Sequence, residues 1–174
     1  MKGRPMRSFV DFTFRTHAIL DRIGGWLPQL ALRAVAGWEF LESGLARLGG
    51  ENRFASLCGD FPFPFGAVPA EASWFIATWA EVLGGLGIWL GMATRFWSTL
   101  LVILTVVAIA AVSWPAEWRT LAGLLQGYAI TDRGFGDCKL PLILVVMLLP
   151  LVFGGAGKAS VDHLVRLHFA RAGR

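Results

Sequence analysis

The sequence predicts an all-α fold, an integral membrane four-helix bundle with short interfacial helices. Three observations carry that reading. Hydrophobic residues make up 55% of the 174 residues, charged residues only 16%, and the mean hydropathy is +0.58. A soluble domain of this size carries nearer a quarter charged residues. The apolar residues gather into long runs, the signature of segments that cross a bilayer. Eight Trp and 13 Phe against one Tyr suit a lipid-facing surface with interfacial anchors.

The N-terminal segment, residues 1–25, is basic at its start (Lys2, Arg4, Arg7). Ala34-Val35-Ala36 imitates a signal-peptidase site, but the apolar run before it, Leu27 to Leu32, is too short for a secretory core, so the segment is expected to be retained. Phe9, Phe12, Thr16, Ile19 and Ile23 fall near one helical face, with Arg15, Asp21 and Arg22 elsewhere. That suits a helix lying in the cytoplasmic interface.

Residues 26–157 form the four-span domain. The first span runs from about Trp26 to Leu48 and contains Arg33, Glu39 and Glu42. The second runs from about Ser73 to Ala93 and contains Glu81; the third, Phe96 to about Val112, has no charge. The fourth, Leu140 to about Phe153, is shorter, holds Pro141 and Pro150, and is expected to begin under the preceding loop. Between the spans, Phe61-Pro-Phe-Pro-Phe65 is held extended by its prolines and reads as an aromatic lid. Trp118, Leu121, Leu125 and Tyr128 repeat at helical spacing and suggest a short external interfacial helix. Residues 158–174 form a basic C-terminal tail.

Orientation follows from Lys and Arg. The two tails hold nine (Lys2, Arg4, Arg7, Arg15, Arg22, Lys158, Arg166, Arg171, Arg174) and the turn between spans two and three holds Arg95. The two longer loops hold five: Arg47, Arg53, Arg119, Arg133 and Lys139. The positive-inside bias therefore predicts both termini in the cytoplasm. The net charge of +4 marks topology rather than nucleic-acid binding, since no basic stripe carries base-stacking aromatics.

Ionisable residues inside spans are the candidate catalytic groups, because a charge there is costly unless paired or hydrated. At ~1.5 Å per residue, Glu39 lies about 18–20 Å above the inner start of span one and Glu81 about 12 Å below the outer start of span two, so a ~30 Å core puts them nearly level. Glu42 stands one turn above Glu39. The expectation is an acidic cluster of Glu39, Glu42 and Glu81, or a pair between Glu81 and Arg33; the alternative is that these groups simply hydrogen-bond the helices together. Cys58 and Cys138 sit in the two external loops. They are read as a structural disulfide, a redox-active pair or two unrelated thiols. No Cys-x-x-Cys is present.

Several other patterns fail. Gly154-Gly-Ala-Gly-Lys158 resembles a phosphate loop, but Ala159 follows the Lys and an apolar helix precedes it. It reads instead as a turn, with Ser160 capping a tail helix and Asp162 in its first turn. His17, His163 and His168, and the four Met, make no persuasive metal site. Trp79, Trp89 and Trp97 read as lipid or packing residues.

Leu32-Arg33 with Gly37-Trp-Glu-Phe-Leu-Glu-Ser43-Gly44, then Glu81-x-x-Gly84-Gly85 and Gly91-Met-Ala-Thr94-Arg95, and finally Gly155-Ala-Gly-Lys-Ala-Ser160-Val-Asp162, together resemble the DoxX family. The resemblance covers roughly Ala31 to Leu164. Phe61–Phe65, Trp114-Pro-Ala-Glu-Trp118 and Thr131–Gly136 are similar to a branch found beside genes for copper-binding modified peptides. The resemblance implies a four-helix fold in the bacterial inner membrane, with Gly37, Gly44, Gly84, Gly85 and Gly91 as helix-packing positions. It implies a membrane subunit or accessory of a redox or peptide-maturation system, working with a protein partner or as a homo-oligomer. A quinone- or small-molecule-binding oxidoreductase, with quinone as the cofactor class, and a small permease or proton pathway are the alternatives. It transfers no catalytic residue.

Overall fold

The computed structural model describes residues 23–52, 67–113, 138–157 and 160–172, with isolated positions between 17 and 21 and between 120 and 135. The expected interfacial helix at Phe9–Ile23 falls almost wholly outside these, as do Cys58, Arg53, the Phe61–Phe65 stretch and Trp114–Trp118.

Helix α1 spans Leu27–Leu48. Pro28 sits in its first turn, where a backbone amide has no intrahelical acceptor to lose. The helix stops at Gly49-Gly50. Helix α2, Ala70–Leu90, starts after extended Pro69 and ends at Gly91, whose φ of +72° only glycine adopts without strain. The Gly91 amide turns back to Gly87 and Ile88, and that of Met92 to Gly87 at 2.8 Å, closing the last turn. Helix α3 follows almost at once, Thr94–Ala108, and its end widens into a π-helical turn, Ile109–Ser113. Thr131 and Ile130 (β1, Ile130–Thr131) pair antiparallel with Gly134–Phe135 (β2), the strand content of the described residues. Helix α4, Lys139–Gly154, begins one residue before the expected span. Helix α5, Val161–Ala172, lies in the tail.

Helices α1 to α4 pack side by side around Ala36, Phe40, Ile88, Leu101, Leu148 and Leu151. The α1–α2 contact is the most extensive, and small residues make it so. A methyl group at Gly85 would stand 2.7 Å from the Leu41 nitrogen and 2.8 Å from the Gly37 oxygen. At Gly44 it would stand 2.8 Å from the Val82 nitrogen. The two backbones touch, which large side chains would prevent. Gly84 accommodates Leu101 of α3 in the same way.

The perimeter is apolar. Phe75 is 64% exposed and Phe153 77%, and Trp38, Phe96, Ile103 and Val146 are similarly open. A soluble monomer rarely displays so much contiguous apolar surface. Helix α2, and α3 extended to Ala111, are each long and apolar enough to cross a membrane. Helix α4 has 16 residues, ~24 Å of rise, and is short of a full ~30 Å core.

Candidate functional site

One face of α1 carries Arg33, Gly37, Phe40, Gly44 and Arg47, spaced four, three, four and three residues apart, toward α2. The two arginines end up in different chemistry.

Arg33 is 2% exposed. Its Nε donates to the Ile88 oxygen at 2.9 Å, Nη2 to the Trp89 oxygen at 3.0 Å and Nη1 to the Ala156 oxygen at 3.0 Å. The first two acceptors are among the last carbonyls of α2, at the negative end of its dipole, and that of Ile88 accepts the Gly91 amide as well. The third lies in the turn after α4. One guanidinium thus ties α1 to the ends of two other helices. The neighbouring turn is tied by Asp162, whose carboxylate oxygens accept the Ala93 amide at 2.7 Å and the Thr94 amide at 3.1 Å, capping α3. Ser160 Oγ accepts the His163 amide at 3.1 Å and so caps α5, as its sequence position predicts.

At the other end of the α1–α2 contact, Glu81 is 4% exposed. Its Oε1 meets Arg47 Nη2 at 3.0 Å, and its Oε2 accepts from Ser43 Oγ at 3.0 Å. The Arg47 guanidinium also lies 5.7 Å from the Trp74 ring centre, within cation–π range. Glu81 therefore meets α1, but neither through Arg33 nor through Glu39 and Glu42. Glu39 is half-buried and Glu42 exposed, and the partners of the Glu81 carboxylate are Arg47 and Ser43 rather than either acid. The reason is stagger. Gly44 sits against Val82, after which α1 has four residues left, whereas α2 has run 12 residues from Ala70 to reach that point. Helix α2 overshoots by about eight residues, ~12 Å. A depth estimate with both spans filling the same slab therefore puts Glu81 about a turn and a half too low on α1.

Sequence reasoning missed Arg47 because it was counted with the loop; it stands in the last turn of α1. The signal was available, since Ser43 and Arg47 are four apart and flank Gly44 on the packed face. Gly91 lies beside Arg33, and a side chain there would strike its guanidinium. Cys138 is half-buried at the residue preceding α4. Trp97 packs on Gly87, while Trp79 and Trp89 are exposed.

Beside Arg47 an apolar cleft of about 300 Å³ opens between α2 and α3. Ile76, Ala77, Ala80, Leu104 and Val107 line it, and Arg47 and Ser73 are the polar groups at its edge. Among the described residues, no group of three or more His, Cys, Asp or Glu is placed to hold a metal ion.

Apolar helices with an exposed hydrophobic perimeter, joined by a half-buried Arg–Glu pair, define a helical membrane protein. The DoxX family matches residues 29–114, from the first turn of α1 past the end of α3. An uncharacterized protein of Haemophilus influenzae is 40% identical over 147 residues, covering 84% of this chain and 89% of that protein. No solved structure matches. The chain belongs to the DoxX family and is a membrane protein.

Proposed function

We propose that this chain is the membrane subunit of a redox or maturation system, and that its own task is to hold a lipophilic carrier of the quinone class. The observation that carries the reading is the cleft between α2 and α3. Its walls suit an isoprenoid tail, and the group at its edge, Arg47, donates hydrogen bonds of the kind a ring carbonyl accepts. Glu81 contacts that same guanidinium and is the candidate for handling a proton at the bound ring. Electrons would come from the partner protein of that system.

In this reading all four helices of residues 26–157 cross the inner membrane. Both termini are cytoplasmic, so the Arg47–Glu81 pair lies in the outer half. The test is photolabelling of the full-length protein in nanodiscs with an azido-quinone. Labels on Ile76–Ala80 or Leu104–Ala108, competed by unlabelled quinone and lost on filling the cleft by Ala108→Phe, are expected. Labels scattered evenly over the lipid-facing perimeter would overturn the proposal.

A further inference from the structure

A second cavity, of about 620 Å³, lies at the opposite end of the bundle. It opens where the start of α3, the turn after α4 and helix α5 meet the first turn of α1, and Gln29, Arg95, Phe96, His163, Val165 and Arg166 line it. We infer that it binds the phosphate of an anionic phospholipid headgroup.

Charge supports an anion. Arg95 and Arg166 face the cavity from different helices. Asp162 also lines it, but both its oxygens already accept backbone amides and its charge is felt by buried Arg33. The balance seen by a ligand is therefore cationic. Arg95 is anchored by its donation to the Phe153 oxygen at 3.2 Å, which leaves guanidinium donors for a second acceptor. Position supports a lipid rather than a soluble anion. Arg95 stands in the first turn of α3, whose remaining residues from Phe96 to Ala108 carry no charge, and so at the level where a bilayer's headgroups begin. Phe96, 61% exposed, and the open Phe153 border that level and offer apolar surface to acyl chains. Basic pockets between membrane helices recognise phospholipid headgroups by this pairing of guanidinium and apolar rim.

The experiment is native mass spectrometry of the full-length protein, gently delipidated and re-exposed to nanodiscs of phosphatidylcholine with or without phosphatidylglycerol. We expect one retained phosphatidylglycerol on the unaltered protein, at least a tenfold preference over phosphatidylcholine, and loss of that preference in Arg95→Gln/Arg166→Gln. Because Arg95 also touches α4, Arg166→Gln alone serves as the variant without that contact and should lower the preference severalfold. Inorganic phosphate at millimolar concentration should neither bind nor displace the lipid. Equal retention of both lipids, undiminished preference in the double variant, or displacement by inorganic phosphate would each overturn the assignment.

Discussion

Substituting Gly85 by Ala tests the close α1–α2 contact directly. The added methyl would lie 2.7 Å from the Leu41 nitrogen and 2.8 Å from the Gly37 oxygen, both backbone atoms of α1. Ordinary contact needs about 3.5 Å or more, so the helices must separate by ~0.7 Å. Backbone cannot turn aside as a side-chain tip can. A radial gap of that size forfeits roughly a quarter to a half of each dispersion well along the seam, and overpacking of this kind costs about 1–3 kcal/mol. It also pulls at Arg47–Glu81 and at the Arg33 contacts, since both bridge the same seam. Gly84→Ala meets the flexible side chain of Leu101 at 3.0 Å and should cost less. Gly24→Ala meets nothing within 4 Å and should be nearly silent. Thermal melts in mild detergent should rank the three in that order, with Gly85→Ala lower by several degrees. If Gly85→Ala melts with Gly24→Ala, the close contact of α1 and α2 is wrong.

Glu81→Gln removes the charge facing Arg47 and should destabilise by about 1–3 kcal/mol, less than a fully buried pair because the Arg47 side chain is 24% exposed; a double-mutant cycle with Arg47→Met should show coupling, and strict additivity would refute the pair. Arg33→Met removes a donor from three carbonyls, of which that of Ile88 keeps the Gly91 amide, and should cost more than Arg33→Lys, which keeps a donor; equal melting temperatures for the two would deny the guanidinium its three-way role. Asp162→Ala frees the Ala93 and Thr94 amides and should destabilise by ~1 kcal/mol, with Asp162→Asn recovering part of the loss; an unchanged melting point would show that the cap contributes nothing. For Cys58 and Cys138 a structural disulfide, a redox-active pair and two unrelated thiols are the open readings; a linked peptide in non-reducing mass spectrometry of the oxidised protein supports the bond, and two fully alkylatable thiols refute it.

The positions of the helices were legible because their signals are local. The apolar runs alone place α1 to α3 within a few residues of where they lie. What the sequence did not disclose was relative height. Glu39 and Glu81 are level only if both helices start and stop at the same two planes. The register is set instead by which glycine meets which backbone, and Gly37, Gly44 and Gly85 are interchangeable in a one-dimensional reading. Arg47 meets Glu81 for the same reason: with α2 overshooting α1, a residue at the end of one helix faces the middle of the next. The π-helical end of α3 has no marker in Ile109–Ser113 that propensity would detect.

The two arginines on the α1 spine show where reactivity can reside. Arg33 uses donors on three backbone carbonyls, acceptors that do not change protonation and do not leave. Moving it would take a donor from the end of α2 and from the turn after α4, so its role is to hold the fold. Arg47, four turns away on the same face, contacts a carboxylate, an aromatic face and the edge of a cleft. Those partners can exchange a proton or yield to a ligand without unpicking a helix end. The difference follows from burial: a guanidinium at 2% exposure is enclosed by the protein, whereas one at 24% can still meet a small molecule. A substitution at Arg33 should therefore act on stability alone, and one at Arg47 on ligand affinity in a protein that still folds.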